Sequence, residues 1–162
     1  MNSATMGTPD GHTIDIDLTY RAPLRLGIAD GARVWLHTPG DLTRVRASDM
    51  RHLAREAAAA RAEHPDRDVV VDIHVVVAAE ASAARAALAE TGESPPADTL
   101  SYVGTARGLA GLVADLYALR ITDGAMLIPL LGPRMVERLR SEVLPQLRTL
   151  LPAEPSRQPR PA

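Results

Sequence analysis

The chain has 162 residues, 18 basic against 20 acidic side chains for a formal charge of -2, and no cysteine. That length suits one domain able to bury its own core, and the absence of cysteine excludes a disulfide framework and thiol catalysis. The near-neutral charge supplies no field to draw in nucleic acid or an anionic membrane, so neither is expected as a partner.

Every basic residue is arginine, which reads as compositional bias beside the many alanines. The first ten residues are polar and lack the apolar centre of a signal peptide, and no apolar run approaches a membrane span. The chain is therefore expected in the cytoplasm. Three segments follow from composition: a disordered N-terminus over residues 1–11, a single α/β domain over 12–151, and a disordered proline-rich tail over 152–162.

Residues 13–20, TIDIDLTY, alternate polar and apolar side chains at period two, the pattern of a half-buried or edge strand, with Asp15 and Asp17 on one face. That face is read as solvated, although paired carboxylates also suit acid–base or metal chemistry. Ala22-Pro23 and Gly27 break the pattern. Asp30-Gly31 then turns into a short strand, Arg33-Val34-Trp35-Leu36-His37, which holds the only tryptophan. Asp41 is read as the N-cap of a helix running to about Glu63, with Leu42, Val45, Met50, Leu53, Ala57 and Ala60 as a thin buried stripe. His64-Pro65 stops it, because proline disfavours helical backbone in the residue before it.

Residues 69–77, VVVDIHVVV, form the strongest strand signal. β-branched side chains dominate and alternation is almost lost, as in a parallel strand buried on both sides. Asp72 and His74 sit two apart in this run and so point to one side. A carboxylate and an imidazole sharing an interior serve catalysis or ligand contact on one reading, and form a satisfied structural pair on the other.

An alanine-rich helix is expected over residues 80–91, ended by Gly92, followed by the loop 92–98, GESPPAD. Residues 100–104 are extended. Thr105 can cap a helix to about Leu119, whose apolar positions Leu109, Leu112, Val113 and Leu116 recur at helical spacing. The turn Thr122-Asp123-Gly124 leads into an apolar strand over 125–130. Gly132-Pro133 opens the last helix, which Pro145 should kink or divide. The alternation of strands and helices predicts a parallel sheet with helices outside, either as a small open sheet or as an arc of a barrel.

Several of these residues resemble a known family. In order and spacing, Tyr102-Val103-Gly104-Thr105, the helix after it, Asp123-Gly124-Ala125-Met126-Leu127, and Val143-Leu144-Pro145-Gln146-Leu147 are similar to the C-terminal end of bacterial luciferase-like flavin-dependent monooxygenases. The nearest branch is that of the nitrilotriacetate and sulfone monooxygenases. The resemblance runs over about residues 33–151 and implies a partial TIM-barrel-like arrangement, an incomplete luciferase-like barrel.

That family oxygenates substrates with reduced FMN supplied by a separate flavin reductase. A full barrel takes about 250 residues, so the N-terminal half with much of the flavin pocket has no counterpart here. The phosphate-binding Gly/Ser-rich segment is also missing, since residues 24–30 hold only Gly27. The resemblance therefore implies either a shortened FMN-dependent oxidoreductase, or half of a split one, or a non-catalytic interaction subunit of the same descent. Asp72 and His74 are the candidate catalytic groups, and Thr105 with the helix it opens is the candidate cofactor contact. An arc of barrel leaves two strand edges and an apolar inner face, so the expected partner is a second copy or a complementing half-barrel chain.

Overall fold

One long strand organises the molecule. The computed structural model describes residues 23–151, in which β4 (Asp68–Ala78) forms parallel ladders with three others. β6 (Gly124–Pro129) lies along one edge of it, while β3 (Leu42–Val45) and β5 (Leu100–Thr105) share the other. β3 pairs with residues 68–71 and β5 with residues 73–78, so Asp72 falls at the gap between them. Beyond β6 comes β1 (Arg25–Asp30), also parallel, and β2 (Arg33–Leu36) finishes the sheet as an antiparallel hairpin partner.

The result is a mixed α/β fold with a curled, half-barrel sheet. β3, β4 and β6 stand side by side; α1 connects the first pair, while the chain from β4 to β6 passes through α2, β5 and α3. β1, from the other end of the domain, then pairs with β6. The edge strands β2 and β3 have four residues each and carry Arg33 and Arg44, while β5, with six, shares the edge of β3. Short, charged edge strands resist unplanned strand addition.

Four helical regions supply the second layer: α1 (Met50–Glu63), α2 (Ala81–Thr91), α3 (Ala106–Ala118), and a C-terminal run of α4 (Pro133–Arg138), a π-helical turn (Leu139–Val143) and α5 (Leu144–Leu150). Alternate side chains of β4, from Val69 through Val77, join the larger core with Leu53, Leu109, Val113, Leu116 and Leu139. The opposite face of β4 carries a much smaller cluster, Val70 with Met126 and Ala29, bordered by Leu36, Leu42 and Ile128. Complete burial of each Val or Leu in the larger core contributes about 1.5–3 kcal/mol. The helical side therefore holds most of the stability.

Local chemistry explains the element ends. Gly92 takes the left-handed conformation that closes α2, with φ 68°. The expected division at Pro145 is present as the π turn just ahead of it, where a widened helix accommodates a ring that lacks an N–H.

Two expectations need correction. The break assigned around Gly27 is the middle of β1, because a side chain there would collide with Met126 and Leu36, at 2.7 and 2.9 Å from an added Cβ. Glycine marks close packing between strands here, not a turn. The helix assigned from Asp41 begins only at Met50: Leu42 and Val45 belong to β3, and the cap is Asp49, whose carboxylate accepts from the His52 N–H at 2.8 Å. That same hydrogen bond holds the Asp49 carboxyl below its ordinary value. The strand expected over residues 13–20 and the two terminal segments lie outside the described residues.

Candidate functional site

Asp72 and His74 lie on the face of β4 opposite the main core, as their spacing predicts. Asp72 is 1% exposed. Arg44 on β3 grips it as a fork, Nε donating to Oδ1 at 2.7 Å and Nη2 to Oδ2 at 3.0 Å, and Arg46 Nε adds a third bond to Oδ2 at 3.3 Å. The backbone dictates this arrangement. β3 leaves the edge of β4 at Val45, opposite Val71, and the vacated stretch lets Arg46 turn back toward Asp72.

Two guanidinium groups on one buried carboxylate make a charge-assisted, geometrically fixed pair. Both Asp72 oxygens are engaged, so the group is built for holding β3 against β4. His74 has no such partner: its Nδ1 is buried without a hydrogen bond. Burial pushes the imidazole below its ordinary value of 6.5, with Asp72 opposing and Arg46 adding to the shift. His74 is thus a neutral ring whose Nδ1 is enclosed without a partner.

A second unpartnered polar atom sits on the same face. Arg25 is 7% exposed; its Nε lies 3.6 Å from Asp68 Oδ2, while its Nη2 has no hydrogen bond. Thr105 lies elsewhere, at the end of β5, and caps α3: its hydroxyl oxygen accepts from the Gly108 N–H at 3.1 Å. The structure thus brings Asp72 and His74 together and leaves Thr105 apart.

The main polar junction that sequence reading missed is Asp123, taken as a turn residue. Its Oδ2 accepts from Val69 N–H at 2.8 Å, its own N–H donates to the Val69 carbonyl at 2.7 Å, and its carbonyl accepts from Arg25 N–H at 2.8 Å. Arg61 of α1 reaches the same carboxylate at 3.4 Å and the Arg120 and Ile121 carbonyls at 3.2 and 3.1 Å. One aspartate thereby ties together the starts of β1, β4 and β6. The following Gly124 completes the tie, because an added Cβ would fall 1.7 Å from the Arg25 carbonyl oxygen at φ +157°.

No protein-family model matches the chain, and no curated protein matches it. The site must be read from its own chemistry. Among the described residues, no group of three or more His, Cys, Asp or Glu side chains could hold a metal ion, and no helix is long and apolar enough to cross a membrane.

Surface clefts among the described residues lie away from the inner face. One, of about 240 Å³, lies between the β1–β2 hairpin and α4, lined by Ile28, Asp30, Trp35 and Val136. Its tryptophan is already covered by the Arg140 guanidinium, 5.1 Å from the ring centre. Another, of about 400 Å³, lies between α3 and α5.

Proposed function

We propose that this chain is a partial luciferase-like barrel acting as a non-catalytic interaction subunit, its inner sheet face completed by another polypeptide. One observation carries the reading: the inner face pairs a fully engaged Asp72 with two buried polar atoms, Arg25 Nη2 and His74 Nδ1, that lack partners. A buried donor or acceptor left unmade costs about 1–3 kcal/mol, and both atoms lie on the face that the second polypeptide would cover. The strand order supports the same reading, with β1 beside β6 as a first strand lies beside a last one in a closed barrel.

A second reading keeps the chemistry of the family: half of a split FMN-dependent monooxygenase-type oxidoreductase served by a flavin reductase. The half-buried ring of His74 favours it, as a stacking contact for a polar ring system. The residues present do not fit the flavin phosphate, since Thr105 is spent on its own helix and residues 25–30 are strand. A phosphate contact would have to come from the complementing chain.

Titration of the purified full-length chain with FMN and reduced FMN, followed by fluorescence, separates the two. The interaction reading expects no saturable binding, together with protection of the β3 and β5 edge amides from hydrogen exchange when the chain is associated. Saturable flavin binding by the chain alone, or unprotected edges in every associated form, refutes it.

A further inference from the structure

The outward face of α3 has a charge order that does not suit an isolated helix. Arg107 occupies its first turn and Asp115 its last third, so each charge sits at the end where the helix macrodipole disfavours it. Both side chains are exposed, and neither has an ion-pair partner among the described residues. Between them, four residues from each, lies Gly111. An added Cβ there meets no atom within 4 Å, so the surface at this point is open.

Positions 107, 111 and 115 recur at i, i+4 and i+8 and so form one stripe along the helix. Ala114 and Ala118 flank it, and the groove of about 400 Å³ runs alongside, bounded across by Leu150 of α5. Leu119 and Leu150, two of the four large apolar side chains exposed among the described residues, stand at this groove or at the end of the helix beside it.

We infer that α3 is the contact helix of a two-fold symmetric homodimer, crossing its mate antiparallel at Gly111. The partner is identified by self-complementarity. A two-fold axis through Gly111 places each residue opposite the one equally far on the other side, so Arg107 faces Asp115 of the second copy and Asp115 faces its Arg107. The two contacts are separated by about 12 Å along the axis. Antiparallel crossing also sets each charge beside the favourable end of the neighbouring macrodipole, which removes the mismatch present in the single chain. Gly111, Ala114 and Ala118 allow close approach of the two backbones, and the exposed leucines fill the groove.

This contact lies on the helical layer, away from the inner sheet face, and does not rest on the proposed function. Sedimentation of the full chain over a range of concentrations tests it. The expected result is a monomer–dimer equilibrium that D115R and R107D each weaken at least about tenfold, with the double swap R107D/D115R returning to near the wild-type affinity. Gly111→Leu should weaken the dimer while leaving the thermal melt of the monomer no lower, because leucine favours helix at an open position.

A wild-type chain that stays monomeric throughout overturns the inference. So does a dimer indifferent to the single reversals, which places its contact elsewhere, and so does a double swap as weak as the single variants. Flavin titration and edge-amide protection report on the inner face, so failure of either idea is recognised separately.

Discussion

Replacing Asp72 by Asn tests whether this carboxylate is a strut or a reactive group. The side chain keeps its volume but loses its charge, and it turns one acceptor into an NH2 group facing the donors of Arg44 and Arg46. The bidentate Arg44 contact, at 2.7 and 3.0 Å, is the dominant loss. A hydrogen bond to a charged group is worth about 1.5–3 kcal/mol. That figure needs reduction because the Arg44 side chain is 37% exposed, and the Arg46 side chain, 65% exposed, adds only a few tenths.

The net expectation is a loss of about 2 kcal/mol, which shifts Tm by about 4–8 °C for a domain of this size. Urea unfolding monitored by circular dichroism measures it, with an unchanged m value showing that the same structure is being unfolded. Arg44→Ala should cost at least as much as D72N, because it leaves the buried Asp72 carboxylate with only the longer Arg46 contact, and Arg46→Ala should cost under about 0.5 kcal/mol. A reactive carboxylate behaves in the opposite way, since sites kept for function tend to gain stability when neutralised. If D72N is as stable as the wild type or more so, the structural account of Asp72 is wrong.

Three other perturbations have definite outcomes. Gly124→Ala forces a Cβ onto the Arg25 carbonyl and should cost more than about 3 kcal/mol, read as loss of soluble, cooperatively melting protein. Thr105→Ala removes the cap of α3 and should lower stability by about 1 kcal/mol in the same urea assay. His74 titrates below 6.5 when folded, so the unfolded chain binds its proton first as pH falls. Stability is therefore full above pH 6.5 and declines as pH drops from there toward the folded value; His74→Gln should flatten this part of a urea-midpoint profile against pH.

The elements legible from the sequence were those whose own side chains specify them. β4 shows in its run of valines, α3 in its helical spacing behind Thr105, and the end of α2 in Gly92. β1 escaped because Gly27 and the neighbouring proline read as breakers, whereas the glycine answers to Met126, which is remote in sequence. β3 escaped because Leu42 and Val45 also fit a helical stripe, and only pairing with β4 decides between the two periods. That single misreading hid the partners of Asp72. With the segment taken as helix, Arg44 and Arg46 belong to a solvated surface; taken as an extended stretch, they lie two apart on one side and converge on the carboxylate. The common orientation of Asp72 and His74 was readable from strand geometry alone, but the saturation of one and the isolation of the other depend on neighbours that only the fold supplies.

The pairing of β1 with β6 also sets an order of events during synthesis. The β1–β2 hairpin leaves the ribosome before the other described strands, yet the parallel partner of β1 follows about a hundred residues later. β4 meets β3 and β5 over about a quarter of that separation, so its flank toward them can close early, while the flank toward β6 waits for the end of the domain. β1 thus waits about a hundred residues for its parallel partner, and the valine-rich β4 stays open on that flank for about fifty. The arginine-held carboxylate of Asp72 fastens β3 to β4 within the part of the sheet that can close early.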